Sequence, residues 1–145
     1  MKLQLAFLLF SLALVSAKFE IRDRADALRA HEECREDNNV PDDAYDKFLN
    51  YDFVDHKRTK CYVKCWVEKM GIFRKKGFNE ADIVYQFTHN HPYYLQPVRH
   101  GLEKCIDHNE SESDVCTFAH RVFSCWLKNI SKLYVKFLVN KLCKI

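Results

Sequence analysis

The side chains most able to do chemistry are seven cysteines, at positions 34, 61, 65, 105, 116, 125 and 143. Two of them stand in CYVKCWVEKMG, Cys61 to Gly71, among Tyr62, Val63, Trp66, Val67 and Met70 and interleaved with lysines. Thiols at that spacing can hold a metal, form a redox pair or crosslink a helix to its neighbours. Zinc wants a second close Cys or His pair at finger-like spacing, which Cys61 and Cys65 lack. A thioredoxin-like pair has two intervening residues, and here there are three. Crosslinking remains, but six cysteines can be paired in many ways and spacing alone does not choose among them.

Other candidate chemistry is sparse. His89-Asn90-His91 has the His-x-His pattern of a metal clasp, but in a loop with no third ligand nearby it reads as solvated. Asp107-His108 and the scattered serines form no recognisable nucleophile motif, and no glycine-rich phosphate loop exists. A secreted phospholipase would need a His-Asp pair in a glycine-rich calcium loop, and the chain has three glycines in all. No catalytic residue, metal or cofactor is therefore expected. Asn109-Glu110-Ser111 and Asn129-Ile130-Ser131 match the glycosylation pattern; Asn109, in an expected surface loop, is the preferred acceptor.

The compartment decides how the cysteines are read. MKLQLAFLLFSLALVSA has one lysine, an apolar run broken by Gln4 and Ser11, and small residues at its end. That is the layout of a signal peptide over residues 1–17, cleaved after Ala17. The run is shorter than the roughly 20 residues a bilayer span needs. The mature chain, 18–145, is expected to be one domain that is secreted and extracellular, where thiols pair. Charge is uneven: Lys18 to Asp55 holds six basic and twelve acidic residues, His56 to Asp82 eight basic and three acidic. From Arg121 onward stand Lys128, Lys132, Lys136, Lys141 and Lys144 with no acid. Such a segment can bind polyanions or anionic lipid, although lysines spread round a helix usually form its solvated face.

The elements that must position these residues read as helices. With 14% aromatics, three glycines and three prolines, the composition favours a well-packed helical chain over a turn-rich sheet. A first helix is expected near Ile21 to Asp37, and a short one after Pro41 with Tyr45, Phe48 and Leu49. The next runs from about Asp55 to Met70, with Gly71 as its stop. Asn79 caps the following helix, with Asp82 three residues on and Phe78 and Ile83 as a staple. Another follows Pro97, carrying Val98, Leu102, Cys105 and Ile106. SESD, Ser111 to Asp114, reads as the capping box of a helix with the stripe Val115, Phe118, Ala119, Val122, Phe123 and Trp126. Ser131 caps a last helix bearing Leu133, Tyr134, Phe137, Leu138 and Leu142.

Between the first six cysteines lie 26, 3, 39, 10 and 8 residues. That pattern resembles the insect odorant-binding protein family of the pheromone and general odorant-binding type, over nearly all of the mature chain. CREDNNVPDD, CYVKCWVEKMGIF and KCIDHN carry the local likeness. The resemblance implies bridges Cys34–Cys65, Cys61–Cys116 and Cys105–Cys125, and an all-α bundle of about six helices around an apolar cavity. It places Val63, Val67, Met70, Ile72, Ala119 and Trp126 at the ligand, and the stripe on the fifth main helix adds Val122 and Phe123. Val63, Val67 and Met70 lie roughly opposite Cys61 and Cys65 on their helix, so one face would be stapled and the other free.

The function this implies is carriage of small hydrophobic molecules (odorants, pheromones or fatty acids), held by apolar burial with one polar anchor from Tyr, Arg or Lys. An alternative is a salivary or secretory-gland effector on the same scaffold, capturing host amines or lipids or binding polyanionic surfaces. Family behaviour also implies pH-dependent release through histidine protonation, with no particular histidine singled out. Cys143 departs from the pattern and leaves open a buried thiol or a disulfide-linked homodimer. An encounter with an olfactory receptor is a further implied partner; nucleic acid and stable membrane insertion are not expected.

Overall fold

The computed structural model describes residues 19–50, 52–53, 55–75 and 77–129. Among these residues six helices follow in order: α1 (Arg24–Asp37), α2 (Asp42–Leu49), α3 (Lys57–Lys69), α4 (Glu80–Thr88), α5 (Pro92–Glu103) and α6 (Val115–Asn129). A two-stranded antiparallel hairpin, β1 (Phe73–Arg74) and β2 (Gly77–Phe78), stands between α3 and α4 and pairs Phe73 with Phe78. Strands of two residues are too short to show an alternating pattern, and the hairpin was not expected.

Local chemistry sets the ends. Asp23 and Asp26 cap α1 reciprocally, each side chain accepting from the other's backbone N–H at 2.9 and 3.2 Å. Gly71 ends α3 at φ +74°, where Ile72 N–H reaches back to Val67 C=O at 3.1 Å. A Cβ there would also stand 3.2 Å from the Phe19 ring. Asn79 Oδ1 accepts from Asp82 N–H at 3.1 Å, as expected. Asp82 itself turns to Arg74, 2.7 Å away.

Two boundaries differ from the reading of the sequence. The helix expected after Pro97 starts at Pro92, and Pro97 lies inside α5. The carbonyl that Pro97 cannot serve belongs to Tyr93, which is 69% exposed, so water can satisfy it. The SESD box resolves to its last residue: Asp114 accepts from the N–H groups of Cys116 and Thr117, both at 3.1 Å. Ser113 is instead bonded to Asn109. The last helix expected from Ser131, the 1–17 leader and Cys143 lie outside the described residues.

The three bridges implied by the resemblance are present. Cys34–Cys65 ties α1 to α3, Cys61–Cys116 ties α3 to α6, and Cys105–Cys125 ties the end of α5 to α6, with Cα separations of 5.7, 4.6 and 5.6 Å. The two cysteines of CYVKC are thus rivets to different partners. Helix α3 is central, packed chiefly on α6 and then α1. Helices α2 and α4 carry no cysteine and are held by packing.

Candidate functional site

Helix α3 does not divide into a stapled face and a free one. Tyr62, Val63, Trp66, Val67 and Met70 are all buried, and Cys61, Lys64 and Cys65 are half-buried. The buried half of α3 is aromatic and aliphatic, while Lys57, Arg58, Glu68 and Lys69 stay exposed on the other side, which accounts for the apolar residues standing between its lysines. The eight residues expected at the ligand, Val63, Val67, Met70, Ile72, Ala119, Val122, Phe123 and Trp126, are brought together in a single buried cluster. Each is 2% exposed or less.

Aromatic rings fill the space around them. Trp66 meets Phe123 with centroids 5.5 Å apart, Phe123 meets Trp126 at 5.7 Å, and Trp126 meets Phe87 of α4 edge-on at 4.6 Å. Phe53 and Phe48 extend the cluster towards Tyr62. Among the described residues, the pockets found open at the surface and are lined by other side chains than the eight. A groove of about 560 Å³ between α4 and α5 has Ala81, Val84, Leu95 and Leu102 as its apolar lining, with Tyr85 and Arg99 among its polar groups. That volume lies within the range of small-molecule sites. A second, of about 540 Å³, lies along α6 beside Phe53, Lys60, His120 and Lys128.

Polar groups inside the bundle are few. His31 of α1 is buried, with Nδ1 hydrogen-bonded to the Tyr62 hydroxyl and its ring tilted over Trp66 at 5.3 Å. Burial pushes its pKa down to about 4, against a smaller upward pull from Glu32. Burial likewise lowers His120, opposed by its contact with the Phe53 carbonyl at 3.4 Å. Sequence reading missed both histidines, although His31 falls on the buried stripe Ala27, Ala30, His31 and Cys34. Gln86 of α4 clamps the segment before α1: it accepts from Arg22 N–H at 2.8 Å and donates to Arg22 C=O at 2.7 Å.

The remaining expected sites are surface features. His89 ends α4 in the left-handed region and His91 precedes α5; among the described residues no group of three His, Cys, Asp or Glu could hold a metal. Asn109, the expected glycan acceptor, donates its Nδ2–H to Ser113 C=O at 2.9 Å and accepts from the Ser113 hydroxyl at 2.7 Å. Arg121, the start of the basic segment, pairs with Asp107 at 2.8 Å. No helix among the described residues is long and apolar enough to cross a membrane.

A stapled helical frame around an aromatic interior accords with the comparison with known proteins. A model of the PBP/GOBP family matches residues 16–129. The chain belongs to the PBP/GOBP family. Among its relatives, general odorant-binding protein 99a of Drosophila melanogaster is 33% identical over 118 residues, covering 81% of this chain and 83% of that one. Odorant-binding protein 22 of Aedes aegypti is 32% identical over 119 residues, with 81% and 84% covered. A solved structure, the fatty acid binding protein OBP56a from the oral disk of the blowfly Phormia regina, superposes with a TM-score of 0.59 at 23% identity. It covers 77% of this chain and 96% of its own length, and supports the PBP/GOBP fold for this bundle.

Proposed function

We propose that this protein is a secreted carrier that binds and solubilises small hydrophobic molecules, a binding protein and not an enzyme. Fatty acids, odorants or pheromones are the ligand classes, the first favoured because a structural relative is described as a fatty acid binding protein. The observation that carries the reading is the convergence of Val63, Val67, Met70, Ile72, Ala119, Val122, Phe123 and Trp126 in one apolar interior of a PBP/GOBP chain. The apolar part of the ligand would lie against this α3–α6 surface.

The disulfides indicate where the bundle opens. They fix α1, α3, α6 and the end of α5 to one another, and leave α2 and α4 outside the stapled frame. Of these two helices we assign α4 as the leaf that yields and its groove with α5 as the way in, because α4 packs on Trp126 through Phe87. Phe87 lies one turn beyond Val84 on the inner side of that leaf, and it packs on Trp126.

A ligand of about 20 heavy atoms at roughly 0.3–0.5 kcal/mol per atom gives micromolar affinity as the expected scale. Displacement of a bound fluorescent hydrophobic probe by acids, alcohols and esters of about ten to eighteen carbons tests the reading. Indifference to all of them would sink it. Amine capture finds less support: the buried polar residues described are His31, Thr59, Gln86, Thr88 and His120, and none is a carboxylate. Glycosylation at Asn109 would modify the Nδ2 that also donates to Ser113 C=O; peptide mapping of the secreted protein reads it.

A further inference from the structure

We infer that the indole N–H of Trp126 is the hydrogen-bond donor for an oxygen of the carried molecule, so that the site prefers oxygenated apolar compounds to hydrocarbons of equal length. The inference rests on the carrier reading above and narrows its ligand class. Trp126 is 1% exposed, and its Nε1 has no hydrogen-bond partner among the described residues. Buried indoles usually find an acceptor, because leaving the N–H unpaired forfeits the hydrogen bond it had with water.

Other polar groups of the interior are already committed. The Tyr62 hydroxyl is bonded to His31, the Tyr45 hydroxyl donates to Glu32 at 2.7 Å, and the Gln86 amide is used at both ends by Arg22. Thr88 Oγ1 accepts from Asn90 N–H at 3.1 Å. Two buried tyrosines that could have served as a polar anchor are thus occupied, and of the buried donors that remain, Ser124 Oγ among them, the Trp126 indole is the one packed against α4. Its edge-on neighbour, the Phe87 ring, offers only a π face, a much weaker acceptor than an oxygen.

Position gives the orphan donor its use. Phe87 belongs to α4, a helix that no disulfide restrains, so a molecule that parts α4 from α6 passes directly by the indole. An alcohol, aldehyde, ester or acid then supplies the missing acceptor, whereas an alkane leaves the N–H as it was. One net hydrogen bond in a desolvated site corresponds to about tenfold in affinity.

The test uses the full-length secreted chain with decanol and decane as matched competitors for a hydrophobic fluorescent probe. Decanol should bind about tenfold tighter, and the Trp126 indole N–H resonance should move downfield with decanol and stay in place with decane. Trp126→Phe, which keeps an aromatic ring and removes the donor, should bring the two affinities together, while Trp66→Phe should preserve the difference. Equal affinities with an unmoved indole resonance would overturn the inference and leave the carrier standing. Displacement by neither competitor nor by any longer acid would remove both. Should Trp126→Phe fail to fold, the resonance shift in the unaltered protein decides the matter.

Discussion

His31 shows what one residue can impose on the whole fold. Its ring lies between Tyr62 and Trp66, where a charge would have little solvent. The folded pKa of about 4 lies below the ordinary 6.5, so on acidification the unfolded chain takes up this proton first. Stability is therefore complete above about pH 6.5 and declines as pH falls towards 4, by a total of about 3 kcal/mol from this group. Burial pushes His120 in the same direction. Urea unfolding at pH 7 and pH 4 should show the loss, and His31→Gln should remove its share of the difference. A variant that retains the full pH slope would rule His31 out. The spacing of Ala27, Ala30, His31 and Cys34 made His31 legible as a stripe position; its partner Tyr62 was not, because the contact spans 31 residues.

At the scale of elements, the crosslinks should differ in worth by the length of chain they close. Taken singly, the loop-entropy relation gives roughly 4.2 kcal/mol for Cys61–Cys116, 3.7 for Cys34–Cys65 and 3.3 for Cys105–Cys125, following sequence separations of 55, 31 and 20 residues. Paired Cys→Ser replacements compared by denaturant midpoint should fall in that order; the reverse order would mean that native-state packing outweighs the unfolded chain. Helix positions were largely legible from caps and stripes, because Asn79, Gly71 and the apolar repeat of α6 act within a few residues. Pro97 was misread as a start because its tolerance inside α5 depends on the exposure of Tyr93, a tertiary fact. The hairpin at Phe73–Phe78 escaped because it has no period to detect.

For the molecule as a whole, binding is also a stability measurement. A carrier with micromolar affinity should gain about 2.7 kcal/mol at a hundredfold excess of ligand over Kd, seen as a higher and concentration-dependent melting temperature. A melt unmoved by saturating fatty acid or decanol would count against an interior site, since a ligand that enters the core must stabilise the state that contains it.

The sequence by itself determined the family likeness, the bridges that likeness implied and most helix ends, all of which are written in local spacing. The family likeness nominated six of the interior residues, and the stripe on α6 added Val122 and Phe123. Only the tertiary structure decided that the apolar side of α3 is fully covered, that α4 lies outside the stapled frame and that, among the described residues, the Trp126 indole N–H has no acceptor. Whether a buried polar group is satisfied depends on which atoms distant segments bring within about 3 Å of it, and no one-dimensional pattern carries that distance.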